Sequence, residues 1–335
     1  MAASGSTRVS KSPASKSSGG GSPWMRWLSL AAAVAMLSVA GWLMHRYLSQ
    51  ISWRAFAAAW AQLPATRIAG SIVAAGVSFA MLAVFEMQAA ALTVPGRLSM
   101  RRAAFAGTVA NALANTLGFH ALTASAVRFR IYRAGGLSAG DTARIVGVAG
   151  LGVGLGFAVV ITGALCWEPA ITRGWGRIPG LALLAALGTL LFWLGRRPRS
   201  LRIFRWTLVF PNGRAAALQM LIGGVEMSAA IAALYILLPA AIAPPFVDFL
   251  PIYVGAVLAG LISHAPGGLG VFETIMLAAF TQAQRPDLLA AMLCYRLTYS
   301  LLPFVLGSLA LAAFEARQRW GGRTRRAAST QFDGG

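Results

Sequence analysis

Long apolar stretches recur along almost the whole chain, and short segments that carry most of the charge separate them. A helix that crosses the hydrocarbon core of a bilayer needs about 20 predominantly apolar residues. The pattern therefore predicts an all-α polytopic membrane protein with about six transmembrane helices. The predicted spans are 27–45, 68–92, 143–166, 179–195, 215–239 and 288–314.

Two further apolar segments, 103–122 and 252–283, are interrupted by residues that end helices or carry polar groups. The first break is marked by Asn111, Asn115 and Gly118, and the second by Pro266, Gly267, Gly268 and Gly270. Proline lacks a backbone N–H, and glycine is a poor helix former. Broken backbone at membrane depth is tolerated only where protein or a water-filled cavity satisfies its polar groups. We therefore expect each segment to form a re-entrant hairpin.

The charge distribution predicts how these segments lie in the membrane. The chain has 29 Lys and Arg against 9 Asp and Glu, for a net charge of +20. The arginines cluster in short loops, which is the positive-inside pattern and not the basic face of a nucleic-acid-binding protein. Segment 103–122 has arginines on both flanks, so we expect it to enter from the cytoplasm. Segment 252–283 follows the almost uncharged loop 239–251 and should enter from the opposite side.

The same order of elements then occurs twice, which predicts an inverted repeat. A span, a re-entrant hairpin and a second span make up each unit, and span 179–195 inverts the second unit relative to the first. Sequence similarity between Phe85–Ala90 (FEMQAA) and Val225–Ala230 (VEMSAA) supports the match. Inverted repeats with broken helices are typical of transporters, whose sites lie where the repeats meet.

Domain boundaries follow from composition. Residues 1–23 are rich in Ser, Gly, Ala and Lys and predict a disordered cytoplasmic tail. Residues 24–315 form the membrane domain, and 316–335 form a basic cytoplasmic tail. The segment Ser38–Ala40 is compatible with cleavage of a signal peptide, but the long leader favours an uncleaved first helix. We expect an inner-membrane protein with both termini in the cytoplasm.

Acidic residues at membrane depth are costly, so they are candidates for function. Glu86 and Glu226 lie inside predicted spans, and Glu273 follows the second break. Each could line a polar groove that attracts a cationic head group. The structural alternatives are that Glu273 caps a helix, and that Glu86 and Glu226 pair with an arginine such as Arg296.

Basic and aromatic residues supply candidates for phosphate binding. Arg128, Arg130 and Tyr132 form an Arg-x-Arg-x-Tyr pattern, and guanidinium groups donate paired hydrogen bonds to phosphate. Their alternative role is to anchor the loop at the membrane surface. Arg296 and Tyr299 interrupt a later apolar span, where Tyr295 and Tyr299 share a helix face at i, i+4 spacing. The two interpretations of Arg296, contact with phosphate and pairing with a buried glutamate, are compatible with each other.

His264, beside the second break, is a further candidate because histidine titrates near neutral pH. Its alternative is a hydrogen-bonded structural role. Two cysteines in separate spans make neither a disulfide framework nor a metal site, and we expect no cofactor.

Three motifs resemble one known family. They are Val127–Arg133 with Gly136–Ser138, Ser263–Glu273, and Tyr295–Tyr299 followed by Pro303. Their order and spacing resemble the membrane region of the lysylphosphatidylglycerol synthase and flippase proteins, the multiple peptide resistance factor (MprF) family, over residues 25–315. The resemblance implies movement of aminoacylated phosphatidylglycerol between leaflets. No synthase domain follows residue 315, so we expect no aminoacyltransferase activity.

These observations lead to one main functional expectation and two alternatives. The expectation is a phospholipid translocase of the inner membrane. The alternatives are a proton-coupled transporter of a small solute, and an accessory subunit that presents lipid to a separate enzyme. We expect a membrane phospholipid as partner, together with a separate lipid-modifying enzyme, and no nucleic acid; a homo-oligomer is compatible with all three functions.

Overall fold

A computed structural model of the chain describes residues 52–117, 120–167, 175–196, 200–203, 206–209, 212–263, 266–281 and 284–332. The predicted amino-terminal tail 1–23 and the predicted first span 27–45 lie outside these residues, as do Gly118 and His264.

Helices make up nearly all of the described chain. They are α1 (Trp53–Ala61), α2 (Ala65–Thr93), α3 (Met100–Leu117), α4 (His120–Arg133), α5 (Ala139–Trp167), α6 (Arg177–Arg196), α7 (Gly213–Tyr235), α8 (Phe246–Ser263), α9 (Val271–Ala279), α10 (Arg285–Tyr295) and α11 (Leu302–Phe332). A 3-10 turn, Pro266–Gly268, lies between α8 and α9, and a π-helix, Arg296–Leu301, joins α10 to α11. Between α6 and α7, strands β1 (Ser200–Ile203) and β2 (Trp206–Val209) pair antiparallel, with Ser200 opposite Val209. The fold is thus the predicted all-α polytopic membrane fold with one small β-hairpin, β1–β2, added.

Six helical segments of the described chain are long and apolar enough to cross a membrane. They are Ala65–Thr93, Ala139–Trp167, Arg177–Arg196, Gly213–Tyr235, Phe246–Ser263 and Arg285–Gln318. Five of them contain or nearly coincide with predicted spans. Phe246–Ser263 is the exception, since the sequence places a hairpin arm there. Helix α11 continues to Phe332, so most of the predicted basic tail is helical.

Both predicted hairpins are present as pairs of packed helices, α3 with α4 and α8 with α9. Helix α9 has 9 residues and is about 14 Å long, which is less than half the thickness of a hydrocarbon core. A helix this short cannot cross the membrane, which agrees with a re-entrant second hairpin.

The first hairpin breaks later than the sequence predicts. Helix α3 runs without interruption to Leu117, so the prediction that Asn111 and Asn115 mark the break was wrong. The side-chain amide of Asn111 donates to the carbonyl oxygen of Gly107, 2.8 Å away and one turn earlier. This bond satisfies the buried amide inside the helix, which therefore continues.

The two units pack along their first helices. Helix α2 of the first unit lies against α7 of the second, and α5 packs on both. Small residues permit the close contact between α5 and α7: a Cβ atom added to Gly156 would lie 2.7 Å from the Cα of Gly223. Backbones that approach this closely are typical of membrane helix pairs with small interfacial residues.

The second hairpin's tip contacts the first hairpin. A Cβ atom on Gly267 would lie 3.2 Å from the carbonyl oxygen of Asn115 and 3.3 Å from that of Thr116, at the end of α3. Gly267 also has a positive φ of 59°, a conformation that favours glycine. The break of the second hairpin and the end of α3 therefore meet inside the molecule, as expected for hairpins that enter from opposite sides.

Candidate functional site

In the described part of the chain, three buried glutamates bind other polar groups in the interior. Glu86 on α2 has no exposed surface, Glu226 on α7 is 5% exposed and Glu273 on α9 is 8% exposed. Each belongs to a different cluster. The Glu86 cluster contains Arg128 and Tyr132, the Glu273 cluster contains Arg296 with the backbone of Gly267 and Gly270, and the Glu226 cluster contains Ser78 and Tyr299.

In the Glu86 cluster, a bidentate ion pair joins α2, the first helix of the first unit, to helix α4 of the first hairpin. Arg128 donates from Nε to Oε1 of Glu86 at 2.9 Å and from Nη2 to Oε2 at 2.8 Å. The Tyr132 hydroxyl donates to Oε1 at 2.5 Å. Arg128 and Tyr132 lie one turn apart on α4, so both reach the same carboxylate. Gly107 on α3 leaves room for the Glu86 side chain, since a Cβ atom at position 107 would lie 2.6 Å from the Cβ of Glu86.

This geometry corrects two expectations. Arg128, Arg130 and Tyr132 lie on a helix and not in a surface loop, because α4 extends to Arg133. The arginine that pairs with Glu86 is Arg128 and not Arg296. The guanidinium of Arg128 already makes a bidentate bond, and its side chain is only 7% exposed.

Arg130 lies on the opposite, open side of α4. Its side chain is 59% exposed and pairs with Glu315 on α11. This contact fastens the end of the first hairpin to the last helix. An exposed pair of this kind contributes little to stability, about 0–1 kcal/mol. Of the two arginines in the motif, Arg130 is therefore the one whose guanidinium can exchange partners at low cost.

In the Glu273 cluster, one arginine holds the second break in place. Arg296 donates to Oε1 of Glu273 from Nε at 2.8 Å and from Nη2 at 2.6 Å, and its Nη1 donates to the carbonyl oxygen of Gly267 at 2.7 Å. The backbone N–H of Gly270 donates to Oε2 of Glu273 at 2.8 Å, which caps α9. Broken backbone at this depth thus has partners from the protein, as its position in the membrane requires.

The π-helix positions the residues of two clusters. Arg296 begins it, and Tyr299 lies within it. Pro303 lies two residues after its last residue, Leu301, and has no N–H to donate to the helix ladder. π-Helical turns are rare and occur frequently at functional sites. From this helix, Arg296 donates to Gly267 at the hairpin tip, and the Tyr299 hydroxyl lies beside that of Ser78 on α2.

The Glu226 cluster lies between α2 and α7. Ser78 on α2 donates to Oε1 of Glu226 at 2.8 Å, and the same hydroxyl lies 2.9 Å from the hydroxyl of Tyr299. Within the described residues, no cation is within 4.0 Å of Glu226. The carboxyl group that matches Glu86 in the repeat therefore accepts from a serine hydroxyl in place of a guanidinium.

Aromatic rings connect the Glu226 and Glu273 clusters. Tyr295 stacks on Tyr299 with ring centroids 5.0 Å apart, as their shared helix face predicts. The hydroxyls of Tyr253 and Tyr295 are 2.6 Å apart. Phe272, next to Glu273, stacks on Tyr295 and lies 5.2 Å from the guanidinium carbon of Arg296. Arg296 and Tyr299, both predicted candidates, thus belong to one continuous polar and aromatic layer.

Ser78 and Tyr253 were missed by sequence reasoning. Each is a single polar residue inside an apolar helix, and hydroxyl groups are common in membrane helices, so the signal is weak. The described residues contain no group of three or more His, Cys, Asp or Glu side chains that could hold a metal ion. The candidate His264 lies outside the described residues.

Comparison with known proteins relates the chain to membrane proteins. No protein-family profile matches it. The uncharacterized protein slr0712 of Synechocystis sp. is 29% identical over 283 residues, which cover 82% of this chain and 86% of that protein. The inner membrane protein YbhN of Escherichia coli is 27% identical over 203 residues, 58% of this chain and 63% of YbhN.

A shorter match connects the chain to an enzyme of lipid metabolism. The phosphatidylglycerol lysyltransferase of Staphylococcus aureus is 36% identical over 72 residues, which are 21% of this chain and 8% of the enzyme. The match spans a small part of that enzyme, so it carries none of the enzyme's activity to this chain. With six apolar helical segments of spanning length among its described residues and similarity to an inner membrane protein, the chain is a multi-pass membrane protein.

Proposed function

We propose that this protein is a lipid translocase of the inner membrane, which moves a phospholipid head group between leaflets while the acyl chains stay in the bilayer. The observation that carries the proposal is the contact of Gly267 with the end of α3, where two broken helical hairpins meet between the two units. Transporter sites lie at such broken helices, where repeats meet. The similarity to part of a phosphatidylglycerol lysyltransferase supports a phosphatidylglycerol lipid, and its aminoacylated form is the first candidate substrate.

The Glu273 cluster is the proposed head-group site. Its two side chains retain partial access, at 11% for Glu273 and 19% for Arg296, whereas those of Glu86 and Arg128 have 1% and 7%. A lysyl-phosphatidylglycerol head group carries two ammonium groups and a phosphate. One ammonium can pair with Glu273 and the phosphate with Arg296, so that two intermolecular ion pairs replace the internal one. The exchange leaves neither Glu273 nor Arg296 unpaired, which limits its cost in the low-dielectric interior.

Entry and exit follow from the hairpins. Arg130, exposed near the end of α4, receives the phosphate at the cytoplasmic surface, where its charge-assisted hydrogen bonds replace the one to Glu315. Separation of Gly267 from the end of α3 then opens the Glu273 cluster to one side at a time. The protein carries out no lipid synthesis in this scheme, and a separate enzyme supplies the lipid.

Leaflet exchange in liposomes tests the proposal. We expect purified protein to accelerate the exchange of labelled lysyl-phosphatidylglycerol, and Glu273→Gln to reduce the rate about tenfold to a hundredfold, because a charge-assisted hydrogen bond is worth about 1.5–3 kcal/mol. Asp287→Asn is the matched control, since it removes an acid from the first turn of α10, outside the three clusters.

Two outcomes would contradict parts of the proposal. Absence of exchange by the wild-type protein for charged and neutral phospholipids alike would exclude a translocase under these conditions. Equal rates for wild type and folded Glu273→Gln would reduce Glu273 to a helix cap. A proton-coupled transporter of a small solute is the second candidate, and the observation that favours it is the hydroxyl-bound carboxyl group of Glu226 between the two units.

A further inference from the structure

Glu226 differs from the other two buried glutamates in what neutralises it. Glu86 and Glu273 each face a guanidinium at hydrogen-bond distance, together with further O–H or N–H donors. Glu226 is equally buried, yet the described residues offer it a serine hydroxyl and no cation. Burying an isolated carboxylate is very costly, so such a group takes up a proton instead.

The hydroxyl groups of Ser78 and Tyr299 can accommodate both the ionised and the protonated form of Glu226. The Ser78 hydroxyl lies between Oε1 of Glu226 and the Tyr299 hydroxyl, at 2.8 and 2.9 Å. A hydroxyl group both donates and accepts. When Glu226 is ionised, Ser78 donates to it and accepts from Tyr299. When Glu226 is protonated, it donates to Ser78, which donates to Tyr299. A guanidinium has no acceptor, so neither of the other glutamates has this option with its arginine.

The groups around Glu226 do not supply a fixed countercharge. On α2, the charged side chains are Glu86, which is bound to Arg128, and Arg67, which lies 11 residues before Ser78 and donates to the carbonyl oxygen of Leu238. From α8 and α10 come Tyr253 and Tyr295, and from the π-helix come Tyr299 and Arg296, whose guanidinium is bound to Glu273. Helices α5 and α6 carry ionisable groups near their ends only: Asp141, Arg144, Cys166, Arg177 and Arg196.

Glu226 lies at the contact between the two units, where a change in its charge would affect how the units pack. Ser78 belongs to the first helix of one unit, and Glu226 to the first helix of the other. Resting on the proposed translocase function, we propose that Glu226 is the proton-binding site through which a transmembrane proton gradient drives the alternation of the two units. The proton passes from water on one side to the carboxyl group and leaves to water on the other side. The protonated form favours the closed contact between α2 and α7, and the ionised form favours a conformation in which water or a cationic head group reaches the carboxylate.

Difference infrared spectroscopy between acidic and alkaline pH tests the site without lipid transport. We expect the carbonyl-stretch band of a buried carboxylic acid in the wild-type protein at the acidic end, and its loss in Glu226→Gln. Glu315→Gln is the matched control, because it makes the same change at a partly exposed acid of the same chain and should retain the band. Ser78→Ala keeps the carboxyl group but removes its partner, so it should shift the band; this variant identifies the acid if Glu226→Gln does not fold.

Liposome exchange with and without an imposed proton gradient tests the coupling. We expect the gradient to accelerate lipid exchange by wild type, and Glu226→Gln to lose the acceleration. A band that persists unchanged in both Glu226→Gln and Ser78→Ala overturns the proton site. A sodium gradient that drives exchange where a proton gradient does not overturns the coupling to protons. If the band depends on Glu226 but no lipid exchanges, the proton site stands and the translocase function fails.

Discussion

Glu86 and Glu226 occupy matching positions in the two units but have different chemical surroundings. The first accepts hydrogen bonds from Arg128 and Tyr132, and the second accepts one from the Ser78 hydroxyl. The repeat therefore contains one glutamate that is ion-paired between two helices and one that is bound by a neutral hydroxyl, and the second is the group proposed above to exchange a proton.

The stability of the fold should depend on Arg128 far more than on Arg130. Removing Arg128 leaves Glu86 buried without its countercharge, which costs about 3–5 kcal/mol. Arg130→Ala breaks an exposed pair worth about 0–1 kcal/mol. We expect a large loss of thermal stability in detergent for Arg128→Ala and a small one for Arg130→Ala. The reaction of a thiol-specific dye with Cys294, which is 3% exposed, reports unfolding.

A double variant distinguishes a lost ion pair from a lost side chain. Arg128→Met combined with Glu86→Leu removes both charges and should recover most of the stability that Arg128→Ala loses. If Arg128→Ala and Arg130→Ala lower the unfolding temperature equally, the buried pair does not have the structural role assigned to it.

Close glycine contacts set how the long helices pack. Gly156 on α5 and Gly223 on α7 bring two backbones together, and Gly152 on α5 accommodates the ring of Phe85. Gly150 and Gly154 lie on the same helix with nothing within 4 Å of an added Cβ. Of these four glycines on α5, Gly152 and Gly156 are therefore needed for close packing, whereas Gly150 and Gly154 are not.

Adding one methyl group tests this difference. We expect Gly156→Ala to destabilise the protein by about 1–3 kcal/mol, since overpacking forces backbone shifts. Gly154→Ala is the matched control on the same helix, and it should be neutral or slightly stabilising, because alanine has the higher helix propensity. Thermal unfolding in detergent measures both. Equal unfolding temperatures for the two variants would contradict the close contact of α5 with α7.

Across the whole molecule, two units of the same element order meet through α2 and α7, and their hairpins meet at Gly267. The ion pairs differ between the units: the first joins the opening helix to its hairpin, and the second joins the hairpin to the π-helix. The two units thus share an order of elements but differ in their buried polar contacts. In the proposed translocase, this difference lets one unit hold a head group while the interface between the units binds a proton.

Orientation in the membrane is a prediction that labelling can check. We expect the β-hairpin after α6 to lie in the cytoplasm and the loop before α8 to lie outside, because arginines cluster around the former. In a chain whose Cys166 and Cys294 have been replaced, an impermeant maleimide applied to intact cells should label Pro245→Cys and not Ser200→Cys. Permeabilised cells are the control in which both react. Labelling of Ser200→Cys alone in intact cells would invert the topology.

The sequence by itself determined the parts of this protein that depend on neighbouring residues. Apolar length predicted five described spans, because a helix in lipid satisfies its own backbone and needs only enough apolar residues to cross. The Pro266–Gly270 segment predicted the second break, since proline and glycine act on the local backbone. The shared face of Tyr295 and Tyr299 followed from their spacing along one helix.

Only the tertiary structure decided which polar groups meet. Arg128 lies 42 residues from Glu86, and Ser78 lies 148 residues from Glu226, so their contacts depend on the rotation and register of whole helices. The sequence suggested Arg296 as a partner for Glu86 or Glu226. In the structure, Arg296 binds Glu273, which lies 23 residues away in the chain. The position of the first break was also decided by the structure, since the Asn111 side chain bonds to Gly107 within α3 and the helix continues to Leu117. A buried charge is neutralised by the group that packing brings to it, and packing is a property of the assembled helices.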